Sequence, residues 1–218
     1  MPVLSKGGRL VSSNNSNIIK NVTVPRNGLT GEWLFNGNAS DTSGNGYNGT
    51  VSGATLTTDR NGRSNAAYLF NTGNYIDINV PYANVLSVSV WVYDTNNYGT
   101  ISRVINFGYQ GFDAFSPVQS RPLIYAGTSN YMYFNAKDVR NEWRHFVFVL
   151  TGYNQSDILT SKLYINSKLV TQFGGDNSGP YQGTNYTQFG TTFKGILDDI
   201  RFYNRQLDQH EIELLYNE

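Results

Sequence analysis

Residues 28–203 consist of short apolar runs separated by turns that are rich in Gly and Asn. The run at 86–93 (LSVSVWVY) alternates strictly, with three valines on one face and serines, Trp91 and Tyr93 on the other. Successive side chains of a strand point to opposite faces, so this run predicts a strand with apolar or aromatic groups on both sides. About a dozen such runs at even spacing are typical of a sandwich or barrel.

The same reasoning predicts further strands on either side of this run. They are 31–35, 66–71, 75–80, 103–108, 122–126, 131–135, 145–150, 162–165, 168–172, 187–190 and 195–203. Asn166 and Ser167 form a two-residue connection between two of them, which is a favoured hairpin length. The segments 36–50 and 173–188 carry the turn-forming residues of long loops.

A helix is predicted at the C-terminal end of the sequence. Asp208 is followed three residues later by Glu211, the spacing of a capping box. Ile212, Leu214 and Leu215 then provide an apolar side. The chain is therefore expected to be all-β with one short C-terminal helix.

The charge balance and the absence of cysteine exclude several classes of protein. The chain has no Cys, and its 16 Lys and Arg residues balance 16 Asp and Glu residues, which gives a formal net charge of zero. Disulfide scaffolds and Cys-ligated zinc sites are excluded. A bulk basic field for nucleic-acid binding is absent. No apolar run is long enough to predict a transmembrane helix.

Six segments match, in order, the motifs of one family. They are GEWLFNGNASDTSGNGYNGT, AYLFNTGNYIDI, LSVSVWVY, NEWRHFVFVLTG, KLYINSKLV and FKGILDDIRFYNRQLDQHEIELLY. Together they resemble the laminin-G-like, or concanavalin A-like, jelly-roll lectin domain over nearly all of 28–217, and the closing motif is the most specific. Ser167 stands where the family usually has Gly.

The resemblance implies a two-sheet antiparallel jelly roll and a short C-terminal helix. On this basis residues 28–218 form the domain and residues 1–27 an N-terminal extended arm. The resemblance leaves the function open, because the same sandwich serves lectins, adhesion modules, enzyme accessory domains and virion proteins.

Relatives in this family often hold a calcium ion near the loop after the first strand. The resemblance implies Asp41, Asp198 and Asp199 as its ligands, and carboxylate oxygens are the donors that calcium prefers. The alternative is that Asp41 caps a turn and that Asp199 pairs with Arg201 or Arg205.

A second group of residues combines aromatic rings with amide and carboxylate groups, the types that bind sugars. The candidates for glycan or partner contact are Tyr109, Tyr181, Asp176, Asn177, Asn185 and Tyr186. The alternative is that such tyrosines pack on neighbouring loops or contact a protein, since Tyr is also enriched at protein interfaces.

No pattern of catalytic residues stands out. Asp198 and Asp199 are adjacent, so they are expected to point to opposite sides of a strand. The acidic alternation at 211–213 lies in the predicted helix, and no nucleophile elbow, P-loop or zinc-protease motif is present. The sequence therefore predicts a protein without enzyme activity.

Two functional classes follow from these observations. The segment 1–26 is polar and lacks the pattern of a secretory signal. It favours a bacteriophage virion surface protein (a capsid decoration, fibre or tail component) made in the host cytoplasm, whose arm binds other virion proteins. Glycan binding and homo-oligomerisation are expected additions, while nucleic-acid binding and membrane insertion are not. The alternative is an extracellular carbohydrate-binding or adhesion module of a secreted bacterial protein.

Overall fold

The computed structural model describes residues 23–96, 101–107, 110–116, 121–126, 130–136, 140–152, 155–177 and 187–218. The strands in this part of the chain are β1 (Leu29–Trp33), β2 (Thr50–Ser52), β3 (Thr55–Thr57), β4 (Ala67–Phe70), β5 (Tyr75–Asp77), β6 (Ser87–Asp94), β7 (Ser102–Asn106), β8 (Gln110–Ser116), β9 (Arg121–Ala126), β10 (Asn130–Phe134), β11 (Trp143–Val149), β12 (Lys162–Ile165), β13 (Lys168–Val170), β14 (Gln172–Asn177), β15 (Gln188–Gly190) and β16 (Gly195–Tyr203). The helix α1 (Gln209–Tyr216) follows, and short 3-10 helices lie at Tyr82–Asn84 and Gln155–Thr160.

The strands form two eight-stranded sheets. Sheet A has the order β13-β12-β11-β6-β16-β4-β3, and β1 also pairs with β16. Sheet B has the order β14-β10-β9-β8-β7-β15-β5-β2. The paired strands run antiparallel. This arrangement confirms the predicted two-sheet antiparallel jelly roll with a short C-terminal helix.

The main core lies between the two sheets and is rich in aromatic rings. Val88, Val90 and Val92 of β6 all belong to it, as their alternation predicts. Phe112 of sheet B stacks on Phe148 of sheet A with ring centres 4.4 Å apart. Interdigitation of the two inner faces in this way is what holds a sandwich together.

A second cluster covers the outer face of sheet A. Val147, Val149, Tyr164 and Tyr203 of the sheet pack with Leu207, Ile212 and Leu215 of the C-terminal segment. The predicted capping box is confirmed: Asp208 accepts from the Glu211 backbone N–H at 2.9 Å, and the Glu211 carboxylate accepts from the Asp208 N–H at 3.1 Å.

Residues 23–27, assigned from the sequence to the arm, contact the domain in the structure. Val24 packs against the second cluster. The Tyr203 hydroxyl donates to the Pro25 carbonyl at 3.1 Å, and Arg205 donates to the Asn27 carbonyl at 2.9 Å. Residues 1–22, the rest of the predicted arm, lie outside the described residues.

The sequence predicts one loop over residues 173–188, and this prediction is wrong for the first part of the segment. Its first part belongs to β14, which pairs with β10 along the edge of sheet B. The two glycines of β14 weaken the sequence signal for a strand. Gly175 is nevertheless required there, because a Cβ atom would lie 2.3 Å from the Tyr131 carbonyl oxygen.

Candidate functional site

Asp41 caps the loop that follows β1. Its Oδ1 accepts from the backbone N–H groups of Glu32 at 3.0 Å and Ser43 at 2.8 Å, and its Oδ2 accepts from that of Tyr47 at 3.0 Å. Partial burial opposes ionisation, but these hydrogen bonds outweigh it and lower the pKa of Asp41. The turn-capping alternative therefore describes this residue.

Asp198 and Asp199 bind the same cation. Nη1 of Arg60 lies 2.6 Å from Oδ2 of Asp198 and 2.5 Å from Oδ2 of Asp199. The expectation that the two carboxylates point to opposite sides is wrong. The register of β16 against β6 shifts between Asp198 and Arg201, and Asp199 has a φ of 40°, so a bulge brings both side chains to one side.

These two carboxylates belong to a buried ionic network on the outer face of sheet A. Arg201 binds Glu32 at 2.8 Å and Glu218 at 2.7 Å. The expected pairing of Asp199 with Arg201 or Arg205 is replaced by the pair with Arg60. Burial and the neighbouring Asp199 charge raise the pKa of Asp198 to about 7.

The structure does not bring Asp41, Asp198 and Asp199 into one metal-binding group. Within the described ranges, no set of three His, Asp or Glu side chains is placed to hold a metal ion. The three carboxylates already accept from N–H donors, which does not fit a calcium ion coordinated by all of them. Calcium binding by the chain stays a prediction.

The predicted glycan-contact residues are only partly placed. Tyr109, Tyr181, Asn185 and Tyr186 lie outside the described residues. Asp176 and Asn177, predicted in a loop, are instead the last residues of the edge strand β14. Their backbone pairs with Tyr131 and Asn130 of β10.

Sheet B carries a row of paired residues on its outer face, the face turned away from the main core. The row crosses seven neighbouring strands through directly paired positions: Asp77, Gln188, Asn106, Gly111, Tyr125, Tyr131 and Asp176. Their neighbours along the strands, such as Phe112, Ile124 and Met132, belong to the core, so the row faces outward. We refer to these seven positions as the polar row.

The centre of the polar row is fixed by close contacts. Gly111 leaves room for the ring of Tyr125, because a Cβ atom there would lie 2.5 Å from the Tyr125 hydroxyl. That hydroxyl donates to Oδ1 of Asn106 at 3.2 Å. The guanidinium of Arg103 lies 4.1 Å from the centre of the Tyr125 ring. Tyr125 therefore has a defined orientation.

The polar row has its two tyrosines side by side, with amides and a carboxylate toward β5 and a carboxylate on β14. The rings of Tyr131 and Tyr133 lie 5.1 Å apart, and Tyr131 is only half-buried. At the other end of the row, Nε2 of Gln188 donates to Oδ1 of Asp77 at 2.6 Å. Rings combined with a few oriented amides and carboxylates are the composition of a small-molecule binding surface.

Asp113 lies beside the polar row and is almost completely buried. Its side chain accepts from Nε of Arg103 at 3.1 Å. Burial raises the pKa of Asp113 to about 6, although the charge of Arg103 opposes the shift. An unfolded Asp releases its proton near pH 4, so the folded protein holds this proton over a higher pH range.

This difference predicts a pH dependence of stability. Between about pH 4 and pH 6 the folded state binds the Asp113 proton and the unfolded state does not, so raising the pH destabilises the fold. The free energy of unfolding should decrease by at most about 3 kcal/mol, which corresponds to the difference between the folded and unfolded pKa values of Asp113. Urea unfolding of the wild type and Asp113→Asn at several pH values measures it. An identical pH profile in both proteins would contradict the assignment.

The protein-family comparison agrees with the observed fold. Residues 70–213 match the concanavalin A-like lectin/glucanases superfamily. The chain belongs to that superfamily. No curated protein matches it by sequence. In the described part of the chain, no helix is long and apolar enough to cross a membrane.

Several solved structures share the fold. Domain 4 of AbnA, an extracellular arabinanase from Geobacillus stearothermophilus solved with arabinotriose, has a TM-score of 0.65 and 20% identity, over 86% of this chain and 98% of that one. Trypanosoma rangeli sialidase has a TM-score of 0.61 and 15% identity, over 87% of this chain and only 32% of the sialidase. The binding domain of Paraclostridial Mosquitocidal Protein 1 has a TM-score of 0.59 and 16% identity, over 88% of this chain and 52% of that one.

Proposed function

We propose that the chain is a non-enzymatic carbohydrate-binding module whose polar row is the binding surface. The observation that carries the proposal is the direct pairing of Asn106, Gly111, Tyr125 and Tyr131 across four strands. This register places two aromatic rings and an amide in one line on an outer sheet face. Tyr125 is 8% exposed, so the half-buried Tyr131 is the more accessible of the two. A sugar ring presents an apolar face and hydroxyl groups, which such a line contacts by stacking and hydrogen bonds.

The relationship to the arabinanase domain supports the proposal. That domain was solved with arabinotriose, and the match covers 98% of it and 86% of this chain. Its identity to this chain is 20%, so it supports a shared fold and leaves the ligand to be tested. The sugar bound by this chain is accordingly proposed from its own side chains.

The spacing of the carboxylates supports a binding role without catalysis. Asp113 lies on β8, three strands away from Asp77 on β5 and three strands away from Asp176 on β14. Neighbouring strands are about 4.8 Å apart, so each separation is about 14 Å. Glycosidase carboxylates lie about 5–9.5 Å apart. These acids are therefore too distant to act as a catalytic pair.

Tyr131→Ala should weaken binding to the best ligand of a glycan array about tenfold, because one stacking face is lost. Tyr93→Ala is the matched control. Tyr93 is also half-buried and also contacts another ring, that of Trp143 at 5.7 Å, but it lies in sheet A. Titration calorimetry measures both variants. Equal binding by Tyr131→Ala and the wild type would contradict the proposed surface.

The virion role stays a prediction. It depends on the N-terminal segment, of which residues 1–22 lie outside the described residues. Residues 23–27 contact sheet A and the segment after β16, on the side of the sandwich opposite the polar row. A lectin-like domain on a virion surface and a module of a secreted protein would use the same sugar-binding face.

A further inference from the structure

Arg121 is a buried cation on the outer face of β9. The residue is 6% exposed, and its Nη1 donates to Oδ1 of Asn135 at 2.7 Å. Its Nε is buried without a hydrogen-bond partner. Among the described residues, no carboxylate lies within ion-pair distance of Arg121. A buried charge without an opposite charge is costly, so this position has unused capacity for an anion.

An exposed aromatic ring lies directly against this cation. The guanidinium carbon of Arg121 is 3.7 Å from the centre of the Phe173 ring. Phe173 itself is 50% exposed, which is unusual for a large apolar side chain. The contact compensates part of the charge by a cation–π interaction. It also places an apolar surface next to a hydrogen-bond donor.

A cleft of about 420 Å³ begins at Asn135, the partner of Arg121. Ile165 and Val170 provide apolar walls, and Arg144 and Lys168 supply positive charge. Lys168 is exposed, and the described residues give it no ion pair. Arg144 pairs with the exposed Glu142, while its Nε is buried without a partner.

Asn135 links Arg121 to the cleft, because it accepts from Arg121 and also lines the cleft with Arg144 and Lys168. Among the described acids, Glu142 is the one that pairs with any of these three cations. We propose that Arg121, Arg144 and Lys168, together with Asn135 and Phe173, form a subsite for the carboxylate of an acidic saccharide. We call it the cationic subsite. Charged N–H donors bind carboxylates by short, strong hydrogen bonds, and the exposed ring of Phe173 stacks on the sugar.

The ligand is a saccharide because one end of the cationic subsite, Arg121, lies on the outer face of sheet B, while the cleft beyond Asn135 is lined by β11, β12 and β13 of sheet A. Arg121 lies two residues from Leu123 on the same face of β9, and Leu123 pairs with Tyr133 beside Tyr131. A sugar chain that begins on the half-buried Tyr131 would pass the buried side chains of Leu123 and Tyr133 before it reaches Arg121 and the exposed Phe173. This inference rests on the proposed function, and it adds that the ligand is negatively charged.

The test uses pairs of ligands that differ only in charge. Oligogalacturonates, oligoglucuronates and alginate oligomers are each compared with their methyl esters, which keep the sugar backbone and remove the carboxylate charge. The wild type should bind at least one acid about tenfold or more tightly than its ester. Raising the salt from about 0.05 M to about 0.5 M should reduce that preference.

Lys168→Glu should remove most of the preference for the acid, because it reverses an exposed charge at the cleft. Lys162→Glu is the matched control: Lys162 is an exposed lysine of the preceding strand and does not line the cleft. Arg121→Gln tests the buried cation and should also abolish the preference. Thermal unfolding confirms that each variant is folded.

The outcomes separate this inference from the proposed function. Preference for an acid that is lost in Lys168→Glu and Arg121→Gln, but kept in Lys162→Glu, supports the cationic subsite. Tyrosine-dependent binding of neutral glycans without a preference for acids overturns the subsite and leaves the proposed function in place. Binding to no acid and no ester, with an empty glycan array, overturns both.

Discussion

Trp33→Ala should lower the free energy of unfolding by about 3–5 kcal/mol, the cost of removing a large buried ring. Trp33 is fully buried, and its ring packs edge-on against Phe189 at 5.0 Å and Phe202 at 5.1 Å. Phe189 lies in sheet B and Phe202 in sheet A. The substitution therefore opens a cavity where the two sheets meet. Urea unfolding monitored by circular dichroism measures the loss.

Trp33→Phe separates the two contributions of this side chain. The indole N–H donates to the Tyr47 carbonyl at 2.9 Å, which holds the loop after β1 against the core. A phenyl ring retains part of the packing but leaves that carbonyl without its donor, so the loss should be about 1–3 kcal/mol. A loss below about 1 kcal/mol for Trp33→Ala would show that the site collapses around the missing ring.

Arg60→Met should destabilise the fold by about 3–5 kcal/mol at neutral pH, because it leaves two adjacent carboxylates without their shared cation. The Arg60 side chain is 8% exposed and lies 4.7 Å from the centre of the Trp91 ring. Asp198, whose pKa is already about 7 beside Arg60, would then have to bind a proton at neutral pH to avoid repelling Asp199. The double variant Arg60→Met/Asp198→Asn should recover part of the loss, since an amide is neutral without binding a proton.

Arg63→Met is the control for this prediction. Arg63 lies in the same loop and pairs with Asp59, but its side chain is 54% exposed. Exposed pairs contribute about 1 kcal/mol or less. Equal losses for Arg60→Met and Arg63→Met would mean that the loop, and not the buried carboxylates, determines the effect. Equilibrium denaturation at pH 7 compares them.

The sequence predicts the elements whose signal is local. The alternation of Val88, Val90 and Val92 places one face of β6 in the core. Asn166 and Ser167 have φ values of 50° and 63°, as a two-residue hairpin of the primed type requires. Ser167 thus adopts the left-handed conformation for which the family usually uses Gly. These features depend on neighbouring residues, so a single sequence contains them.

The missed strands have weak local signals. β2 and β3 have three residues each, which is too short for a period to be recognised. β8 contains Gly111, Asp113 and Ala114, which are uncommon in strands. β8 and β14 are stabilised by hydrogen bonding to neighbouring strands and not by the intrinsic strand propensity of their residues. Such long-range pairing leaves no pattern in the local sequence.

The candidate site could not be predicted because it depends on register between strands. Asn106 and Tyr125 come together only because both pair with Gly111. The register shifts within the β7–β8 and β8–β9 pairs cannot be read from periodicity. Asp198 and Asp199 show the same difficulty, since a bulge reversed the direction expected for one of them. The sequence indicates which types of side chain a sugar site uses, but it does not indicate which residues lie side by side across the sheet.

The position of Glu218 has a practical consequence for measuring these interactions. Its carboxylate binds Arg201 on the outer face of sheet A, whereas the polar row lies on the outer face of sheet B. A tag added after Glu218 would leave from the side of the sandwich opposite the tyrosines. Protein immobilised on a biosensor chip through such a tag should present the polar row to the solution. Coupling through surface lysines would instead consume Lys168.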